Sequence, residues 1–202
     1  MLTYTRQAGQ ICMGTDRILC HSSIAPKLID IMKQQLAETA EGSVALPNVV
    51  SSASKGRLAK LVTDALSQGA QIIAGSDAQP NIPSTSFVPT ILSHVDKSSR
   101  LHHEEAFGPL VFISTFETED EAVILANDTE YGLHAAVFTK DLRKGLAIAK
   151  RLEVGAVHIN SMTVHDEPAL PMGGLKGSGW GRFNAAEGMD EFLCRKAVTW
   201  DD

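Results

Sequence analysis

Extended and helical patterning alternate regularly from Pro109 onward, and this constrains the fold more than any other feature. "PLVFISTF" (residues 109–116) reads as a strand. Thr118 with Glu121 forms a capping box and predicts a helix through Asn127. "HAAVFT" reads as the next strand, Asp141 as the cap of a helix carrying Leu142, Leu146, Ala149 and Leu152, and "GAVHIN" as a further strand. Strands alternating with helices imply an α/β layer architecture, a largely parallel sheet flanked by helices.

The first half fits the same frame. "RILCH" (residues 17–21) is a strand candidate, with Ser22-Ser23 as the N-cap of a following helix. In that helix Ile24, Leu28, Ile31, Met32 and Leu36 keep helical spacing, and Gly42 lies beyond its end. A second helix starts near Ser54, carries Leu58, Leu61, Val62, Ala65 and Leu66 on one stripe, and stops at Gly69. "AQIIAG" (residues 70–75) reads as a buried strand, residues 76–86 as a loop, and "SFVPTIL" (residues 86–92) as extended, with Pro89 suggesting a sheet edge. Past Ser161 the chain is loop-rich until "FLCRKAVTW", where one last strand is expected. No internal repeat or domain boundary interrupts residues 1–202, so a single domain is expected.

Composition narrows the function classes. A length of 202 residues, 44% of them hydrophobic, is enough to bury a core. A net charge of −6 with no Lys/Arg block argues against nucleic acid as the main partner. No apolar run approaches the ~20 residues of a membrane helix, and "MLTYTRQAGQ" has no apolar targeting region, so no membrane partner is expected. The three cysteines, 12, 20 and 194, are an odd number without a signal sequence, which fits free thiols in a cytoplasmic compartment. No C-x-x-C pair occurs, so no metal site is expected.

Three stretches could carry chemistry. In "GQICMGTDR" (residues 9–17) Cys12 sits in a short polar, glycine-bounded stretch, with Gly9 and Gln10 before it and Gly14, Thr15 and Asp16 after it, a setting that presents a thiol instead of packing it as a small hydrophobe. Cys20 and Cys194 read as packing cysteines. "HHEEAFGP" (residues 102–109) puts two carboxylates before a conspicuous turn; on spacing alone it is a solvated loop with an aromatic anchor. "PMGGLKGSGWGRF" (residues 171–183) is glycine-rich, yet it has neither the G-x-G-x-x-G nor the P-loop spacing, and alone it reads as a loop whose glycines allow close backbone packing.

Taken in order and with their gaps, "GQICMGTDR", "EEAFGP", "NDTEYGL" (residues 127–133) and "PMGGLKGSGWGR" resemble the aldehyde dehydrogenase superfamily, from about Ala8 to Trp200. "CMGTDRIL" and "GRFNAAEGMDEFL" look most like the salicylaldehyde and vanillin dehydrogenase branch. The resemblance implies NAD- or NADP-dependent oxidation of an aldehyde, aromatic in that branch, to an acid. In that chemistry a cysteine forms a thiohemiacetal and then a thioester. Carried over by motif, Cys12 matches the nucleophile, with its own N–H as an oxyanion donor. Glu105 matches the carboxylate that binds the nicotinamide ribose, and Phe107 the ring beside ribose and nicotinamide. Asn160 matches an asparagine near the active site, and Gly173 and Gly174 a structural turn.

The resemblance also implies parts that precede the nucleophile: a dinucleotide-binding domain, a second oxyanion asparagine and a general-base glutamate. Only eleven residues precede Cys12. The expectation is therefore a truncated catalytic domain. General-base catalysis typically supplies ~10²–10⁴-fold and an oxyanion donor ~10²–10³-fold, so little independent turnover is expected. Two alternatives stay open. One is a non-catalytic remnant that binds full-length relatives through a strand around Ala197–Trp200, with a homo-oligomer as a further association. The other is a cofactor-free thiol esterase working through Cys12.

Overall fold

The computed structural model describes residues 7–41, 46–77 and 85–201. In chain order the strands are β1 (Arg17–His21), β2 (Gln71–Ala74), β3 (Thr90–Ser93), β4 (Leu110–Phe116), β5 (His134–Val137) and β6 (Ala156–Ile159). The helices are α1 (Ala25–Glu41), α2 (Ser52–Ser67), α3 (Arg100–His103), α4 (Glu119–Asn127), α5 (Leu142–Ala149) and α6 (Ala185–Asp190). The α/β reading holds, but the strands divide between two sheets. One is four-stranded in the order β1-β4-β3-β2, with β1, β4 and β3 parallel and β2 antiparallel to β3; the other is the parallel pair β5-β6.

The core follows from strand alternation. Successive side chains of β3 and β4 point to opposite faces. Leu92, Leu110 and Phe112 meet α2 through Leu58, Leu61, Val62 and Ala65. Ile91 and Val111 meet Met32 on the other face, where Leu28 and Leu36 of α1 also pack. Each of these large side chains contributes roughly 1.5–3 kcal/mol by leaving water. The ends of α2 are settled locally. Ser51 Oγ accepts from Ser54 N at 3.1 Å, and the chain turns at Gly69.

Several expectations change. β3 is an interior strand, all four residues buried, because Pro89 stands just before it and its missing N–H removes no ladder bond. "AQIIAG" supplies the edge strand β2, which is partly exposed. The turn before α1 is capped by His21, whose Nδ1 accepts from Ser23 N, and not by the serines. Ile24 and Ile31 face solvent, and Gly42 lies outside the described residues. In α5, Leu142 and Leu146 are exposed, while Gly145 is buried close to Thr139 and Ile159. "FLCRKAVTW" forms no strand, and Cys194 is exposed, whereas Cys20 is buried.

The caps on α4 and α5 are as expected: Thr118 Oγ1 accepts from Glu121 N, and Asp141 Oδ1 from Arg143 N and Lys144 N. At its far end α4 is held by Arg17, which donates to Leu125 O at 3.3 Å and Asp128 O at 2.9 Å. Arg17 also lies 5.5 Å from the centroid of the Phe112 ring.

Candidate active site

The segment bearing Cys12 leads directly into β1, and four contacts shape it. Gly14 N donates to Ile11 O at 2.7 Å, closing a tight turn. The Gln10 side chain grips residues 48–50, donating to Asn48 O at 3.2 Å and accepting from Val50 N at 2.6 Å. Thr15 Oγ1 lies 3.2 Å from Thr163 Oγ1. Asp16 Oδ2 accepts from Ala106 N at 3.1 Å. Ala8 and Met13 are buried beneath the loop, and Cys12 between them is exposed. The thiol is presented, as its polar, glycine-bounded stretch implies.

The Asp16–Ala106 bond joins the thiol loop to "EEAFGP". That turn is also held from α2 by Arg57, which donates to Glu105 O at 2.9 Å and to Ala106 O. Phe107 takes a left-handed φ of 44° and stands partly exposed. Gly108 lies against Leu58, so the turn rests directly on the core. Burial raises the Glu105 carboxyl above its ordinary range, and Arg57 opposes the shift. Asp16 is raised to about 7. Crowding by protein is the largest cause, although the residue keeps partial solvent access; the Ala106 N–H opposes it, Glu105 adds to it, and Arg57 and Arg17 lower it.

Cys12 lines an open cleft of about 410 Å³ together with Met172, Trp180, Arg182, Phe183 and Glu191. Its wall is the glycine-rich stretch, folded back so that Met172 and Phe183 exchange backbone bonds of 2.8 Å in both directions. A Cβ on Gly155 would come within 1.7 Å of Gly173 O, and one on Gly173 within 2.4 Å of Gly181 O; these glycines permit backbone crossing. "NDTEYGL" and "PMGGLKGSG" form one joint. Leu175 N donates to Gly132 O, Gly177 N to Glu130 O, and Lys176 Nζ to Asn127 O, each at 2.8 Å.

Of the matched residues, the structure joins the Cys12 loop to the turn bearing Glu105 and Phe107. Asn160 stands at the end of β6 with its amide committed: Oδ1 accepts from Thr139 N and Nδ2 donates to Thr139 O, both at 2.8 Å. Among the described residues, the cleft walls do not include Glu105, Phe107 or Asn160. Sequence reasoning missed Gln10, Asp16 and Arg57 as the residues that hold the loops. The first two lie inside "GQICMGTDR" and the third stands beside Leu58 of the α2 stripe; only their tertiary partners reveal the role.

The architecture is an α/β fold that presents a thiol at the loop leading into a parallel strand. Residues 1–198 match the aldehyde dehydrogenase family, and the chain belongs to that family of oxidoreductases. It is 36% identical over 196 residues to vanillin dehydrogenase of Pseudomonas fluorescens, covering 95% of this chain and 40% of that protein. It is 39% identical over 202 residues to the chloroplastic betaine aldehyde dehydrogenase of Beta vulgaris, covering 96% and 40%. A salicylaldehyde dehydrogenase from Pseudomonas putida G7, solved with salicylaldehyde, superposes with a TM-score of 0.83 at 34% identity, covering 91% of this chain and 38% of that one. A Staphylococcus aureus betaine aldehyde dehydrogenase solved with NAD+ gives a TM-score of 0.83 at 34% identity, covering 93% and 39%. The chain thus spans about 40% of the length of these relatives. Aromatic and betaine aldehyde dehydrogenases stand at similar identity.

Proposed function

We propose that this chain supplies the thiol half of an NAD(P)-dependent aldehyde oxidation site, with an aromatic aldehyde as the first substrate class to test. The observation that carries the reading is the Asp16–Ala106 bond, which ties the exposed Cys12 loop to the turn holding Glu105 and Phe107. The Cys12 thiolate attacks the aldehyde carbon, the C–S bond forms, and the carbonyl oxygen takes the electron pair as an oxyanion near the Cys12 N–H.

The residues present fit one end of a dinucleotide. Glu105 offers a half-buried carboxylate suited to a ribose diol, and the partly exposed Phe107 ring offers an apolar wall. When bound, NAD(P)+ supplies the hydride acceptor. Arg57 and Asp16 fix the Glu105–Phe107 backbone, and Cys12 holds the substrate carbon.

The test is NADH formation from NAD+ and a panel of aromatic and aliphatic aldehydes, with protein in excess so that one turnover is visible. A signal lost in Cys12→Ala supports the reading. A burst that stalls means acylation without the base that releases the acid. No NADH overturns independent dehydrogenase chemistry and leaves a remnant or partner subunit. A second reading, a cofactor-free thiol esterase, is favoured by one observation: the Glu191 carboxylate shares the cleft with Cys12. Ester hydrolysis that is indifferent to NAD+ and lost in both Cys12→Ala and Glu191→Gln supports it; hydrolysis that survives Cys12→Ala sinks it.

A further inference from the structure

Three imidazoles, tilted against one another by 52° and 45°, stand in a row where the β5-β6 sheet meets the segment that approaches the thiol loop. His134 on β5 and His158 on β6 have ring centroids 5.0 Å apart, and His158 and His165 4.9 Å apart. His134 Nδ1 lies 2.9 Å from Thr163 O and 3.2 Å from His158 Nε2. Thr163 is buried, and its hydroxyl lies 3.2 Å from that of Thr15, three residues beyond Cys12. We propose that His134 and His158 are positioning residues for the Cys12 loop, holding it through Thr163 and Thr15 only while the His158 ring is neutral.

The proton count follows from donor and acceptor chemistry. A carbonyl oxygen only accepts, so the proton between His134 and Thr163 sits on His134 Nδ1. His158 Nε2 faces the same Nδ1–H and must therefore be the bare, accepting nitrogen. A proton added from solvent at His158 Nε2 would set one N–H against another at 3.2 Å. His134 Nε2 is buried with no hydrogen-bond partner among the described residues, so the ring is held through Nδ1 alone.

The groups facing this row come from three segments. His134 comes from β5, His158 from β6, and His165 from the following loop, where Glu167 Oε1 lies 3.1 Å from His165 Nε2. The one acid in this set therefore pairs with the outer ring. Burial lowers the pKa of His158 below the ordinary histidine value, and His134 and His165 lower it further. The contact is accordingly complete above the ordinary histidine range and is lost as pH falls through the depressed value. Its relevance to catalysis rests on Cys12 being the nucleophile, whereas the contact itself can be tested without any turnover.

The experiment is amide hydrogen exchange of residues 10–16 from about pH 5 to pH 8, the range in which imidazoles change charge, corrected for intrinsic exchange and run in the Asp16→Asn chain, so that the Asp16 carboxyl, raised to about 7, does not titrate in the same window. The β1–β4 ladder serves as the internal control for folding. In the Asp16→Asn chain with its histidines intact, protection of residues 10–16 should fall about fivefold to tenfold on acidification, the loss of one or two hydrogen bonds. His158→Phe keeps a ring in the row and should abolish the step. Thr15→Val should leave the His158 ring titration intact by NMR and uncouple the loop from it. With Asp16→Asn in the background throughout, a step that persists in both variants, or none when the histidines are intact, overturns the proposal. If the step appears as expected but Cys12 alkylates no faster than Cys194, the positioning role stands and the nucleophile reading fails.

Discussion

Among single residues, the sharpest contrast is between Cys12 and Cys20. Both are free thiols, one exposed and one buried, and Cys194 is exposed in the tail. Alkylation of the native chain should modify Cys12 and Cys194 and reach Cys20 only in denaturant; mass spectrometry of peptides after a short pulse checks it. Should Cys12 react no faster than Cys194, its loop does nothing to activate it. Asp16 carries a second prediction. Its pKa is raised from 3.8 to about 7, so between those values the folded chain holds a proton that the unfolded chain has lost. Stability therefore declines as pH rises through that window, and the decline is complete above about 7. Asp16→Asn keeps an oxygen to accept from Ala106 N and removes the titration. The variant should gain about 1–3 kcal/mol over the parent at high pH, a figure reduced for the partial solvent access of the carboxyl, and nothing at low pH. Thermal melts at about pH 5 and pH 8 measure it; a gap that does not widen with pH refutes the assignment.

For the elements, the question is which features of the chain were readable before it folded. The caps were, because Thr118 and Asp141 act on backbone within their own helix turn. Pro89 was not, because a proline one residue before a strand and a proline inside an edge strand look alike until the neighbours of β3 are known. The α5 stripe failed for a related reason. A small Gly145 brings the helix backbone close to Thr139 and Ile159, and its leucines turn outward. The turn bearing Phe107 depends on another close approach. A Cβ on Gly108 would come within 2.5 Å of the fully buried Leu58. Gly108→Ala should destabilise the fold by about 1–3 kcal/mol through overpacking. It should also loosen the Ala106 amide, which exchange would report. Ser51→Ala removes the α2 cap and should cost about 0.5–2 kcal/mol while leaving that amide protected, separating an element's stability from the placement of the turn.

At the scale of the whole molecule, the tail leaves large apolar surface uncovered. Trp180, Phe192 and Trp200 are 95%, 88% and 80% exposed. Large apolar side chains exposed to this degree favour association. The chain should self-associate with rising concentration or bind a longer family member. Phe192→Ser with Trp200→Ser should shift it toward monomer in size-exclusion chromatography with light scattering. An unchanged mass across concentration would show that this surface makes no contact. Because the chain spans about 40% of its relatives, the single-turnover experiment and this one belong together. A partner that restores NADH formation would show where the rest of the site comes from.

The sequence alone determined what depends on neighbours in the chain. Strand–helix alternation, two helix caps, a polar glycine-bounded setting for Cys12 and the ordered motifs that carry the family all lie in short stretches that could be read in isolation. Tertiary structure decided what depends on residues far apart. It split the strands into two sheets and placed β3 inside. It joined residues 127–133 to the glycine-rich stretch, and it put Asp16, Arg57 and the histidine row around the thiol loop. The physical reason is that a buried carboxylate, guanidinium or imidazole takes its role from the donor or acceptor that folding brings to it. Here those partners stand between 24 and 90 residues away.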